Sequence, residues 1–493
     1  MLTRFKVDGF KNLAGVDVRF GPFSCIAGPN GVGKSNLFDA IAFLSALAEK
    51  PLIEAAAAVR GSEGRVGDVR SLFRSAGGQR MREMSFLVEM IIPEQGEDDL
   101  GSPARASMTF LEYELRLRHR DDTNALGPLE VTFERMEHIN KSGAGKRIGF
   151  PHSPAWRDSV IRGRRTVPYI ETVQEAGRTL VLTRADSLGG HGGGGPRKLL
   201  AANMPRTVLS TANNAAEHRT LVLARQEMMG WTQFQLEPSA LRSPDPFNAP
   251  RRITSSGAHL PATLFGLAQE AKRSSDGAPD DVYQHVANRL AELFENVRTL
   301  RVDVDEKREQ YSILLTDLQR SDHLASSLSD GTLRFLALAI LEASTHGPAL
   351  LCLEEPENGI HPDRIPAMIQ LLRDLAVDVD TAAGIQNPMR QVIVNTHSPS
   401  VVTCVPENTL ILADATERVR DGRGERPLVL RGVPGTWRVE AGEQASLVPL
   451  LGYLAPAAMQ PSLPSAPQRD RRVIDRADVK QLGLFPTPRP EDA

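Results

Sequence analysis

A glycine-rich octapeptide near the N-terminus constrains this chain more than any other feature. Gly28-Pro29-Asn30-Gly31-Val32-Gly33-Lys34-Ser35 matches G-x-x-x-x-G-K-[ST]. It follows a short apolar run, Phe23 to Ala27. It precedes Leu37, Phe38, Ile41, Leu44 and Leu47, which recur at helical spacing. A strand, a tight turn and a helix in that order make a cradle for phosphate. The glycines let backbone N–H groups curl around an anion, and the helix N-terminus adds partial positive charge. Lys34 is placed to reach β- and γ-phosphates, and Ser35 to offer a hydroxyl to Mg²⁺. The octapeptide predicts a nucleotide site.

The rest of the chain reads as strands alternating with helices on either side of a less regular middle. Phe5 and Val7, then Val16, Val18 and Phe20, alternate as half-buried strands do. Residues 84–92, 107–117 and 129–136 also read as strands, and 213–229 as a helix. Val282, Val286, Leu290, Leu293, Phe294 and Val297 form one helical face, and Leu300, Val302 and Val304 alternate. A helix follows from Thr332, then a strand to Leu353, a helix from Pro362 to Ala376, and strands at 391–395 and 409–412. This alternation predicts an α/β fold with a mostly parallel, helix-covered sheet. Gly189 to Gly195, around His191, reads as a flexible loop. From Pro456 onward prolines and charges dominate, and the tail is expected to be disordered.

Three later segments carry chemistry. Leu350 to Leu353 is an apolar strand that ends in Glu354-Glu355-Pro356. Paired carboxylates there suit a phosphate site, one orienting Mg²⁺ and the other polarising an attacking water. Ser329-Asp330-Gly331 opens a helix, either as a second anion site or as an ordinary cap. His397 follows another apolar strand, where an α/β sheet faces its ligand crevice.

The order of these motifs resembles an ABC-type ATPase head, a P-loop NTPase fold, of the RecF/SMC/OLD branch. The echoes are Gly9-Phe10-Lys11-Asn12-Leu13, the octapeptide with Asn36, Leu328-Ser329-Asp330-Gly331, Glu355-Pro356-Glu357-Asn358-Gly359-Ile360-His361-Pro362 and Thr396-His397-Ser398-Pro399. The last three together are similar to defence-associated ATPases that resemble the ATPase half of OLD proteins. Trp231 to Pro238 and Leu260 to Leu264 are similar to that group's middle region. The resemblance implies ATP and Mg²⁺ as ligands. It implies that Gly28, Pro29, Asn30, Gly31, Val32, Gly33, Lys34, Ser35 and Asn36 cradle phosphate, that Ser35 and Glu354 hold the metal, that Glu355 is the general base and that His397 is a switch histidine. Ser329 and Gly331 would meet ATP bound to a second subunit, and Lys11 and Asn12 would touch the nucleotide. The branch usually carries Asp where Glu354 stands, so hydrolysis is expected to be slow. Its Q-loop glutamine has no clear match; Gln79 is the provisional choice.

The resemblance divides the chain into an N-terminal head half (1–80), an inserted mixed α/β lobe (81–298), a C-terminal head half (299–415) and a C-terminal extension (416–493). The 493 residues carry 58 Lys+Arg against 61 Asp+Glu, so any nucleic-acid contact must come from a local patch. Lys141, Lys146, Arg147, Arg157, Arg162, Arg164 and Arg165 make a basic stretch in which Asp158 is the one acid. Three dispersed cysteines (Cys25, Cys352, Cys404) exclude a disulfide scaffold and fit a reducing cytoplasm. No apolar run is long enough to span a membrane. The expectation is an ATPase that forms a homodimer, or a higher even-numbered oligomer, by sandwiching ATP between heads. It would act on DNA in antiviral defence or repair with a separate effector such as a nuclease, since no D-x-D pair follows Thr416. The alternative is a scaffolding ATPase that controls a toxic effector without touching DNA.

Overall fold

The computed structural model describes residues 1–59, 69–76, 78–121, 127–186, 196–273, 278–294, 296–344, 347–416, 418–420 and 423–439. The glycine run around His191 and the tail beyond 440 lie outside them.

Two sheets organise the chain. The parallel one runs in the order Trp231–Phe234, Leu350–Glu354, Gln391–Thr396, Phe23–Ala27 and Leu410–Ala415, and Leu428–Gly432 closes its edge antiparallel. Its three central strands are almost wholly buried and mainly apolar because both faces are covered. Cys25, Leu351, Leu353, Val392, Val394 and Leu412 pack into one core, with the helices Asp330–Ala343, Ile365–Leu375, Leu260–Arg273 and Pro279–Ala291. Ile26, Cys352, Ile393 and Ile411, one residue out of phase, pack into the other. That second core also takes the helix Lys34–Leu47 and one face of the antiparallel sheet. Phe43 of this helix meets Phe10 and Phe86 with ring centroids 5.7 and 5.9 Å away, which ties three segments together. Burial pushes the Cys25 and Cys352 thiols far up, so these two are small core residues.

The antiparallel sheet has eight strands, ordered Arg197–Leu200, Arg178–Thr183, Ile170–Glu175, Leu129–His138, Phe110–His119, Glu83–Ile91, Leu2–Asp8 and Val16–Arg19. It takes strands from both sides of the expected boundary at residue 80. Glu83–Ile91 pairs along its length with Leu2–Asp8, so the first half of the expected insertion extends the N-terminal sheet. Trp231–Phe234, also expected within the insertion, is an edge strand of the parallel sheet. A smaller sheet, Val297–Asp305, Gln310–Asp317, Asp322–Leu324 and Asp245–Pro246, crosses the expected boundary at 298. Leu428–Gly432 likewise places part of the C-terminal extension inside the head. The reason is common to all four: strand pairing joins segments distant in sequence, and hydrophobic patterning does not name the partner.

Glu134 shows how tightly the antiparallel sheet is tied to its surroundings. It is fully buried and accepts from Val208 N (2.7 Å), Leu209 N (2.9 Å) and the Tyr113 hydroxyl (3.1 Å). Burial raises its pKa from 4.5 to about 7, against those three donors. A carboxyl raised in the folded state favours folding while it is protonated. Its contribution is complete below about pH 4.5 and is lost as pH rises to about 7, a loss of up to about 3 kcal/mol. Glu134→Gln is expected to flatten the fall of the thermal midpoint between about pH 5 and 8. Parallel profiles for the two proteins would assign the dependence to other groups.

Candidate nucleotide site

Because both faces of the parallel sheet are covered, polar groups emerge at its strand ends. Gly28, Glu354, Glu355 and His397 all leave the C-terminal ends of adjacent strands, which is where such sheets bind ligands. Gly28 N donates to Thr396 O (3.2 Å), joining the phosphate loop to the His397 loop.

The phosphate loop runs from Ala27 to the helix at Lys34, with Gly33 as its N-cap at φ 108°. A side chain at Gly33 is excluded twice, by that left-handed backbone and because a Cβ would lie 2.2 Å from Asn12 Nδ2. Asn12 braces the loop: its Nδ2 donates to Val32 O (3.0 Å), and its Oδ1 accepts from Asn36 Nδ2 (2.8 Å). Lys11 forms a buried ion pair with Asp39 of the same helix (2.7 Å). Both residues sit beside the loop, with polar groups engaged in holding it. Pro29, Asn30 and Gly31 are exposed at its tip, while Lys34 is buried. Lys34 Nζ donates to Gly28 O (2.6 Å) and Pro29 O (2.8 Å). Burial lowers its pKa, and the charges of Glu355, Glu357 and Glu354 oppose that.

The carboxylates have distinct surroundings. Glu354 Oε1 accepts from Gln233 Nε2 (2.8 Å), on the neighbouring strand. Glu355 stands at φ 44°, uncommon for a non-glycine residue, in a turn closed by Asn358 N donating to its carbonyl (3.1 Å). Its Oε1 meets His397 Nδ1 (2.6 Å), and its Oε2 accepts from Asn358 Nδ2 (2.9 Å). Burial alone would raise its pKa, but Asn358, His397 and Lys34 together hold it below the ordinary carboxylate range. Glu357 is buried beneath them, its Oε1 bonded to the Thr396 hydroxyl, and burial raises its pKa. The Thr396 hydroxyl in turn accepts from Ser398 N (2.9 Å), so Glu357 steadies the segment that carries His397.

Sequence reading missed Gln233, Asn358 and Glu357 as parts of this site. Gln79 lies on an exposed two-residue strand paired with Ser75–Ala76, and Gln233 is the glutamine that meets a site carboxylate. The similarity at Trp231 to Pro238 was the available signal for it.

Ser329 caps the helix Asp330–Ala343, its Oγ accepting from Thr332 N (3.2 Å). Gly331 faces the loop after Glu355; a Cβ there would lie 2.3 Å from Gly359 O. Arg242 pairs with Asp330 and donates to Leu328 O (3.0 Å), clamping the turn from the other side. The basic stretch is less free than its composition suggests. Besides Lys141 with Asp158, Arg147 pairs with Glu89 and Glu112, Arg162 with Glu94 and Arg165 with Asp186, all of these acids but Asp158 brought in by folding.

This phosphate loop, at the C-terminal strand ends of a helix-covered parallel sheet beside paired carboxylates, defines a P-loop ATPase fold of the ABC-head type. The family described as "AAA domain, putative AbiEii toxin, Type IV TA system" matches residues 23–94 and 213–403, more than half of the chain, and the chain belongs to that family. No curated protein matches it significantly in sequence. Among solved structures it is similar to an SMC head bound to the C-winged-helix domain of ScpA, at 12% identity and TM-score 0.43, over 87% of this chain and 98% of that one. It is also similar to an SMC head with an extended coiled coil bound to the C-terminal domain of ScpA from Pyrococcus furiosus (11%, TM-score 0.41, 87% and 96% covered). The SMC head domain from Thermotoga maritima gives 13% identity and TM-score 0.37, with 88% and 99% covered. Among the described residues, no helix is long and apolar enough to cross a membrane.

The clasp on Glu355 generates a pH prediction. Asn358→Asp replaces a donor with a second negative charge and raises the Glu355 pKa. The acidic limb of the ATPase pH profile is expected to move up by about one unit. An unchanged limb would show that Asn358 has no hold on Glu355, or that Glu355 does not set that limb.

Proposed function

We propose that this chain is an ATP-hydrolysing switch that dimerises on ATP and acts on DNA together with a separate, nuclease-like effector. The observation that carries it is the convergence of Lys34, Glu354 and the bonded pair Glu355–His397 at the C-terminal ends of three adjacent strands. Lys34 would exchange the Gly28 and Pro29 carbonyls for phosphate oxygens. Ser35 and Glu354, with Gln233 bonded to the latter, would supply hard oxygens to Mg²⁺, which when bound would neutralise phosphate charge. Glu355, ionised to low pH, takes a proton from the attacking water, and His397 holds its carboxylate in place. The longer Glu354 in the place of Asp fits slow turnover. The family description names a toxin–antitoxin system, which supports a role in defence; repair is the other setting. The dispersed free cysteines fit the cytoplasm.

A scaffolding ATPase without DNA contact is the second reading. The in-chain pairing of Arg147, Arg162 and Arg165 favours it.

Glu355→Gln is expected to bind ATP, hydrolyse it about 10²–10⁴-fold more slowly and accumulate as a dimer. If Glu354→Gln stops turnover while Glu355→Gln does not, the roles of the two carboxylates are exchanged. The shared-site mechanism has a mixing test. ATP would bridge the phosphate loop of one chain and the Ser329 turn of the other across a two-fold interface. Ser329→Arg alone should bind ATP without dimerising, and Lys34→Ala alone should not bind it. Mixed, they should regain activity, because each heterodimer contains one site with both halves intact. Full activity of Ser329→Arg as a monomer by light scattering would leave Ser329 a helix cap only.

A further inference from the structure

Folding assembles an arginine cleft away from the nucleotide site. Residues 161–165 run beside 107–109. Arg162 N donates to Thr109 Oγ1 (2.7 Å), Thr109 N donates to Arg162 O (3.3 Å), and Gly163 bridges Met108. This fixes one rim. Arg105, at the end of the short strand Pro103–Arg105, forms the other. Between them is an open cleft of about 1060 Å³ lined by Arg105, Arg162, Arg164 and Arg165, with Glu94 as its one carboxylate among the described residues. Arg105, Arg162 and Arg164 are exposed; Arg165 is held, stacked on Tyr169 at 3.8 Å and paired with Asp186.

We propose that this cleft binds the phosphodiester backbone of a nucleic acid, with Glu94 as an internal competitor. The inference rests on the reading above and locates its DNA contact. All four cations are arginines, whose planar fork matches phosphate oxygens. Among the described lining residues only Ala106 and Val167 carry wholly apolar side chains and none is aromatic, so the cleft lacks the cluster of aromatic anchors that a protein partner uses. Glu94 already occupies the forks. Its Oε1 accepts from Arg105 Nε (3.0 Å) and Nη2 (2.7 Å), and its Oε2 lies 3.5 Å from Arg162 Nε. A phosphate displaces it without rearranging the rim.

The test measures binding of the full chain to labelled duplex and single-stranded oligonucleotides over a salt series, with and without a nonhydrolysable ATP analogue, and with polyglutamate as competitor. The triple variant Arg105→Ala, Arg162→Ala, Arg164→Ala is expected to bind at least about tenfold more weakly on every sequence, with a salt slope shallower by about two to three. Glu94→Gln is expected to bind about two- to fivefold more tightly. Unchanged ATP binding and thermal midpoint confirm that the variants fold. DNA binding that the triple variant leaves intact would overturn the cleft and keep the DNA-acting reading. Polyglutamate that competes equally, and through the same arginines, would reassign the cleft to an acidic protein. If neither wild type nor Glu94→Gln binds any oligonucleotide at low salt, the cleft and the DNA-acting reading fall together.

Discussion

Burial of the parallel sheet on both faces is the constraint on which the rest of the structure depends. Each strand sends alternate side chains into two different cores, Cys25 into one and Ile26 into the other, Leu351 and Leu353 against Cys352. No polar side chain fits between the strand ends without a partner, since an unpaired polar group in a core costs on the order of 1–3 kcal/mol. Chemistry is thereby confined to the points where strands emerge. Gly28, Glu354, Glu355 and His397 meet there because their strands are neighbours, although they span nearly four hundred residues of sequence.

The site is held by residues whose polar groups face inward onto its own loops. Asn12 fixes the phosphate loop through Val32 and Asn36, Glu357 fixes the His397 segment through Thr396, and Asn358 closes the turn beneath Glu355. Such bracing suits a site that must meet a highly charged ligand without first reorganising. Lys34 and Glu355 are each satisfied inside the chain, by carbonyls and by donors respectively. On the proposed function, a phosphate oxygen would exchange like for like with a carbonyl at Lys34.

Electrostatics elsewhere follows the same pattern of internal pairing. The near-neutral chain places acids beside most cations of the basic stretch, with Glu89 serving Arg4 and Arg147 and Asp186 serving Arg165. What remains as a field is local and geometric: three exposed arginines around one carboxylate at the edge of the antiparallel layer. Composition averages over such arrangements, which is why net charge carried no information about them.

The sequence by itself determined the local pieces. The glycine spacing before Lys34, the apolar runs before Glu354 and His397, and the 3.6-residue periodicity of 282–294 each specify a turn, strand or helix through interactions between residues close in the chain. The phosphate loop, the paired carboxylates and His397 were legible for that reason. Tertiary structure alone decided which strands are neighbours, and with them the partners. Gln233 reaches Glu354 because Trp231–Phe234 pairs with Leu350–Glu354, a contact across more than a hundred residues. The same holds for Glu83–Ile91 against Leu2–Asp8, a pairing that runs across the expected boundary at residue 80, and for Arg105 beside Arg162. Local periodicity records which face of a segment is buried; it does not record what buries it.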